Sequence, residues 1–264
     1  MNQGPSSACE FLSWDTEFFG RRIARVCGNT LDEESASSID AWSVENQIEA
    51  LYFLARADDP NTIQTAERSG FGLADLRMTY QLAAIERQEL VAPQSSARSS
   101  IRNAVPGDVA ALRAIARTAH SDTRFFNDPH FDREKAGELY ETWIELECRG
   151  RAGQVLVAVA EAKQAIGYLS CHLDRTNSTG SIGLLGVSKN FQRRGIGIGL
   201  VQAGLDWFLA QGMQQVTVVT QANNLAAQRL YQRCGFLTQN VQLWYHKWYM
   251  KDAQPGIRTR NRAK

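Results

Sequence analysis

The chain of 264 residues is long enough for two modest domains, each with its own core. Its 44% hydrophobic and 22% charged residues are those of an ordinary globular protein, and a formal net charge of +1 argues against a surface built mainly for nucleic acid. Five cysteines, an odd number with no C-x-x-C pair, predict reduced thiols in a cytoplasmic protein, and no apolar run approaches the roughly 18 residues of a membrane span. The opening MNQGPSSACEF lacks the basic-then-apolar pattern of a signal segment. Residues 51–82 read as strand, polar pair, helix, Gly-Phe and strand, with Asp58 and Asp59 as caps and Pro60 at the first helical position. VAPQSSARSS is polar and aperiodic, which predicts a linker at 93–100 between an amino-terminal domain (1–92) and a second domain (101–252).

The second domain opens with a short strand at Ile101 to Ala104, a turn at Pro106 to Asp108, and a helix whose inner face carries Val109, Leu112 and Ile115 or Ala116. The spacing of Leu139, Trp143 and Leu146 predicts a second helix from Asp132 to Cys148. QVLVAVAE, QAIGYLSCHLD and SIGLLGV follow as three sequential strands, and GIGIGLVQAGLDWFLAQG as a helix that buries Val201, Leu205 and Phe208 and stops at Gly212. A strand (QVTVVTQ), a helix from about Leu225 to Cys234 and a closing strand (VQLWYHKWYM) complete the core. The tail at 253–264 carries Arg258, Arg260, Arg262 and Lys264 and is predicted to be basic and disordered.

Residues 51–82 align with residues 216–247 when Gly70-Phe71 is laid over Gly235-Phe236. Both copies run strand, polar pair, helix, Gly-Phe, strand. The earlier copy has Ala66 where the later has Tyr231, and nothing before Leu51 resembles QRRGIG. A degenerate repeat that keeps the scaffold without the site accounts for the pattern, and so does chance similarity between two β-α-β units.

SKNFQRRGIGIGL places Arg193 and Arg194 just before a helix, where partial positive charge already gathers. That arrangement is unfavourable unless an anion arrives. A strand, a glycine-bearing turn and a helix N-terminus form a phosphate cradle. The Walker pattern G-x-x-x-x-G-K-[ST] is absent, and the dinucleotide pattern fails because Val218, Val219 and Thr220 stand where its acidic residue belongs. QRRGIG instead matches Q/R-x-x-G-x-G/A, and in motif, order and spacing the chain resembles the GCN5-related N-acetyltransferases (GNAT).

The resemblance implies an α/β (α+β) fold, with a mixed central sheet of the GNAT acyl-CoA acyltransferase type preceded by a smaller, degenerate GNAT-like domain. It implies acetyl-CoA as acetyl donor, no metal, and a pyrophosphate held by Gln192, Arg193, Arg194, Gly195, Ile196 and Gly197. A backbone N–H near Leu185 to Val187 would polarise the thioester carbonyl, and Gly183 and Gly186 are read as marking a bulge that parts this strand from its neighbour. Tyr231 would be the acid that protonates the leaving thiolate, against the alternative of a core tyrosine. Asn224 is carried over as a coenzyme A contact, although helix capping alone explains it.

FLSWDTEFFGRRIARV, SDTRFFNDPHFDREKAGELYETWIE, IGLLGVSKNFQRRGIG and WYHKW further resemble a bacterial subgroup that acetylates a nucleotide-linked amino sugar, such as a dTDP-4-amino-4,6-dideoxyhexose, for surface polysaccharide synthesis. That resemblance implies a substrate loop with Arg124, Asp128 and His130, no nucleic-acid partner, no membrane insertion, and allows a homodimer. Arginine would meet phosphate and the carboxylate a hydroxyl or the amine, while a loop ordered by its own turns explains the same residues. Acetylation of another amine (peptide, polyamine or antibiotic) and a non-catalytic acyl-CoA-binding module are the competing readings. No histidine among His120, His130, His172 and His246 has a carboxylate at a diagnostic spacing, so no general base is assigned.

Overall fold

A computed structural model describes residues 8–83, 100–160 and 164–249. The described residues form two compact units, one up to Leu73 and again from Tyr245, the other Ala74–Trp244. Both divisions fall inside strands. The linker expected at 93–100 lies outside the described residues except for Ser100, which begins a strand, and the tail at 253–264 lies outside them altogether.

The first unit contains β1 (Cys9–Phe11), α1 (Ser13–Phe19), β2 (Ile23–Val26), α2 (Glu33–Glu45), β3 (Ala50–Arg56) and α3 (Pro60–Arg68). β1 and β2 pair antiparallel, β2 and β3 parallel. β3 reads LYFLA, apolar on both faces, because helices and strands cover it: Leu51, Tyr52, Phe53 and Ala55 are all buried. The Asp59 side chain accepts from the N–H groups of Asn61 and Thr62 and so starts α3, with Pro60 at its first position.

The second unit contains the body of β4 (Gly72–Leu82), then β5 (Ser100–Asn103), α4 (Val109–Ala119), α5 (Arg124–Asn127), α6 (Arg133–Leu146), β6 (Gln154–Val159), β7 (Ala165–Asp174), β8 (Thr179–Val187), α7 (Ile196–Ala210), β9 (Gln215–Gln221), α8 (Leu225–Arg233) and most of β10 (Leu237–Trp248). Its strand order is β10-β4-β9-β8-β7-β6-β5. Only β8 and β9 pair parallel among its described registers, because α7 crosses between them. α6 ends at Leu146, short of the expected Cys148, and Glu147–Arg151 form one wider turn around Gly150 at φ 104°. Leu139, Tyr140 and Ile144 are its large buried residues, with Ala136 and Gly137 also buried, while Trp143 and Leu146 are half-buried.

The repeat read from sequence has a consequence for pairing. β3-α3-β4 and β9-α8-β10 are the two copies, yet β4 does not pair with β3. Within the second unit β4 pairs antiparallel with β9, from Arg77↔Gln221 to Leu82↔Val216. Within the first, β3 has the end of β10 as its neighbour. Each copy closes with the strand of the other.

Candidate active site

β8 carries Gly180, Gly183 and Gly186, and side chains from other strands and helices occupy the space each leaves open. A Cβ at Gly180 would lie 2.5 Å from the Phe208 ring, one at Gly183 2.6 Å from His172 Nε2, and one at Gly186 2.7 Å from the Tyr168 ring. The register against β7 slips between Leu169↔Leu185 and Cys171↔Ile182, so β8 has an extra residue opposite Ser170. Ser170 Oγ accepts the displaced N–H of Leu184 at 2.8 Å. Parallel pairing with β9 runs from Thr179↔Gln215 to Ile182↔Val218 and is not continued by the rest of β8. The two strands therefore part beyond the bulge, which takes in Gly183 but not Gly186, and the stretch holding Leu185 and Val187 lies past the last pairing with β9.

The turn after β8 is built by short bonds. Ser188 N donates to Ile166 O at 2.9 Å, Lys189–Phe191 form a 3-10 turn, and Gln192 Nε2 donates to Val187 O at 3.1 Å. Arg193 at φ 60° and Gly195 at φ 81° are left-handed, with Arg194 between them on the ordinary side. Such alternation turns successive N–H groups toward one concavity, and Gly195 caps α7, whose first-turn amides add to it. The Arg194 guanidinium lies 5.2 Å from the Phe191 ring, and neither Arg193 nor Arg194 has a carboxylate partner among the described residues. Gly197 also carries a packing constraint. A Cβ there would sit 2.6 Å from Leu230 Cδ1, so its missing side chain serves the packing of α7 on α8.

Asn224 starts α8 by accepting the Ala227 N–H at 3.0 Å. Two turns on, Tyr231 is 4% exposed, with its ring 6.2 Å from that of Tyr80 and 5.9 Å from that of Phe236. Among the described residues its hydroxyl makes no hydrogen bond. Burial raises its pKa above the ordinary tyrosine value, so it stays protonated at neutral pH.

Arg124 begins α5, its guanidinium 4.2 Å from the Trp244 ring and 4.4 Å from that of Phe125. Asp128 is buried and accepts from His130, through the backbone N–H at 3.0 Å and Nδ1 at 2.8 Å. Two histidines have carboxylate partners that no diagnostic spacing announces: His130 pairs with Asp128, two residues back, and His172 with Glu147 at 2.7 Å, brought in by the turn after α6. His120 Nε2 meets Tyr168 Oη at 2.9 Å and stacks on Tyr140 at 4.6 Å, and burial pushes its pKa down to about 4.

One acid escaped the sequence reading. Asp75 on β4 is 7% exposed, its carboxylate accepting the N–H of Leu76 at 2.8 Å and that of Arg124. β4 alternates Asp75, Arg77, Thr79 and Gln81 with Leu76, Met78, Tyr80 and Leu82, the pattern of a strand with one wet face. The alternation marks Asp75 as polar-facing, but its burial is visible only in the structure.

Residues 113–236 match the model of the Acetyltransferase (GNAT) family. The spore coat polysaccharide biosynthesis protein SpsD of Bacillus subtilis is 33% identical over 149 residues, 56% of this chain and 50% of that protein. The dTDP-fucosamine acetyltransferase of Escherichia coli O6:H1 is 28% identical over 243 residues, 91% of this chain and 98% of that protein. A solved GCN5-related N-acetyltransferase from Sphaerobacter thermophilus shares the fold with a TM-score of 0.64 at 18% identity, over 91% of this chain and 76% of its own. Among the described residues no helix is long and apolar enough to cross a membrane. Since the family match spans the parted strands, the left-handed turn and Tyr231, and the mixed sheet agrees with that of the solved relative, the chain carries an acetyltransferase domain of the GNAT family, the domain of acyl-CoA-dependent N-acetyltransferases.

Proposed function

We propose that the chain transfers acetyl from acetyl-CoA to the amine of a nucleotide-linked amino sugar of the dTDP-4-amino-4,6-dideoxyhexose class, in the cytoplasm, for surface polysaccharide synthesis. The observation that carries the acetyl-transfer half is the opening between β8 and β9, with an amide-lined cationic turn following β8. The sugar half rests on the dTDP-fucosamine acetyltransferase, which this chain matches along 98% of its length.

In this reading the amides of Arg193 to Gly197 and the two guanidiniums hold the pyrophosphate, with Gln192 bracing the turn through Val187 O. Asn224 adds a coenzyme A contact through the part of its amide not used in capping. A β8 backbone N–H at Leu185 or Val187, freed by the bulge, donates to the thioester oxygen, where developing negative charge makes such a donor worth about 3 kcal/mol. Tyr231 gives its proton to the departing sulfur. Arg124, Asp128 and His130 hold the acceptor: Arg124 meets phosphate, and the Asp128–His130 pair meets a sugar hydroxyl.

The test is thiol release from acetyl-CoA with thymidine- and uridine-diphosphate amino sugars beside a peptide, spermidine and an aminoglycoside. Preferred turnover of a 4-amino-4,6-dideoxyhexose is expected; preference for a peptide or polyamine overturns the sugar assignment. The first copy of the repeat lacks the turn and has Ala66 for Tyr231, so calorimetry should give one acetyl-CoA per chain. Two equivalents would end the view that the first copy is empty.

The turn and the helix packing are separable by mutation. Arg193→Gly removes a charge and a left-handed non-glycine residue, so acetyl-CoA affinity should fall while thermal stability holds or rises by up to about 1 kcal/mol. Gly197→Val forces Leu230 aside and should cost about 1–3 kcal/mol, read as a lowered Tm. A Gly197→Val variant with unchanged Tm would remove the packing explanation.

A further inference from the structure

We infer that Asp75 is the catalytic base that takes the proton of the acceptor amine. The inference rests on the acetyltransferase reading of the same opening and adds a residue to it. β9 runs to Gln221 at the end where β8 has already parted from it. Antiparallel β4 lies along β9 with Arg77 opposite Gln221, and Leu76 O accepts the N–H of Ala222 at 3.0 Å. Asp75 therefore stands at the end of the sheet where the opening lies, across β9 from it and one residue beyond the last bond that ties β4 to this edge.

The carboxylate and the phenol occupy opposite faces of the sheet. Successive β4 residues point to opposite sides, so Asp75 shares a face with Arg77 while Tyr80 shares the other with Tyr231. Facing Asp75 are Arg124 and its backbone N–H from α5, Asp122 from the preceding turn, and Tyr140 from α6. Tyr140 in turn stacks on His120, which bonds to Tyr168 over Gly186 of β8, so this face is continuous with the bulged strand. An amine entering from the Asp75 side and a sulfur leaving toward the Tyr231 side meet different groups, so neither proton transfer competes with the other.

The step balances as follows. The acceptor arrives as an ammonium and passes one proton to the Asp75 carboxylate. The freed nitrogen lone pair forms the N–C bond, the C–S bond breaks with its electrons on sulfur, and sulfur takes the Tyr231 proton. The second proton on nitrogen then restores Tyr231, and Asp75 returns its own to solvent. The products are the amide, the free thiol and one proton.

Burial, working against the Leu76 and Arg124 hydrogen bonds and the Arg124 charge, and aided by Asp122, raises the Asp75 carboxyl from its ordinary value of 3.8 to about 6. A carboxylate in that range is ionised above about pH 6 and a better proton acceptor than an exposed one. Rate should therefore fall as pH drops through about 6.

The experiment compares wild type, Asp75→Asn and Asp75→Glu with acetyl-CoA and an amine panel: dTDP-4-amino-4,6-dideoxy-galactose, spermidine, a peptide amino terminus and an aminoglycoside. kcat/KM is followed from pH 5 to 9 on whichever amine wild type turns over fastest. Asparagine keeps an oxygen for the Leu76 and Arg124 N–H groups, so calorimetric acetyl-CoA affinity and Tm should hold. kcat/KM of Asp75→Asn at pH 8 should fall by about 10² or more, the acid limb near pH 6 should vanish, and Asp75→Glu should restore part of both. Retention of kcat/KM within threefold, or of the acid limb, overturns the inference. A wild-type profile flat through pH 6 overturns it without any variant, should Asp75→Asn fail to fold. If the favoured amine is not the sugar nucleotide and the limb still depends on Asp75, the sugar assignment fails and Asp75 stands; no turnover of any amine overturns both.

Discussion

Tyr231→Phe lowers kcat by about 10² to 10⁴ while leaving KM for both substrates and the Tm nearly unchanged, because general-acid assistance contributes on that scale and only the hydroxyl is lost. The expected separation of rate from stability comes from the packing. The ring is held by Tyr80 and Phe236, contacts that phenylalanine keeps, and among the described residues the hydroxyl makes no hydrogen bond whose loss would destabilise the fold. Its raised pKa means that the phenol does not ionise below pH 10, so Tyr231 should contribute no alkaline limb between pH 7 and 9. Initial rates of thiol release at saturating acetyl-CoA measure the effect. Turnover within threefold of wild type would return Tyr231 to the status of a core residue.

A chain that begins at residue 101 does not fold, although it contains every residue assigned to the acetyl-CoA side of the site. It lacks β4, and with it Tyr80, 1% exposed, the buried Leu82 and the half-buried Met78 that pack in the core with Val216, Val218 and Phe236. Each large apolar side chain contributes about 1.5–3 kcal/mol when fully buried, so the three together approach the roughly 5–15 kcal/mol by which domains are stable. β9 would also be left with an unpaired edge from Val216 to Gln221, open to association with other chains. Circular dichroism during heating should show no cooperative transition for residues 101–249 and a clear one for 72–249. A cooperative, acetyl-CoA-binding 101–249 fragment would show that β4 is dispensable.

Much of the scaffold is written in local pattern. Val201, Leu205 and Phe208 at helical spacing, the alternation of β4, the caps at Asp59 and Asn224 and the glycines of β8 are short-range signals, and the structure realises each within a residue or two. QRRGIG is legible for the same reason, since a strand, a turn and a helix N-terminus are contiguous in the chain. What local pattern does not carry is which distant strand completes a sheet. Aligning 51–82 with 216–247 shows two like units but says nothing of their exchange, because β4 has the same alternation whichever neighbour it pairs with. Asp75 was unreadable as a site residue on that account: its burial depends on Arg124, 49 positions later. Gly197 carries a second constraint that its motif does not announce, because the space over its Cα is filled by Leu230 of a helix far along the chain.

The placement of the last strand also sets a timetable for synthesis. The first unit is finished by residues near the end of the chain: Tyr245 packs beside Phe53, Lys247 Nζ meets both Asp40 oxygens at 2.6 and 2.7 Å, and Tyr249 N donates to Glu49 O at 3.0 Å. A ribosome adding about 5–20 residues per second needs on the order of ten to thirty seconds to travel from β4 to the end of β10. Through that interval Leu51, Tyr52 and Phe53 wait on a strand with β2 on one side and nothing yet on the other. The first unit is thus begun before the second and completed after it, and an apolar strand edge stays open to other chains for as long as the second unit is being made.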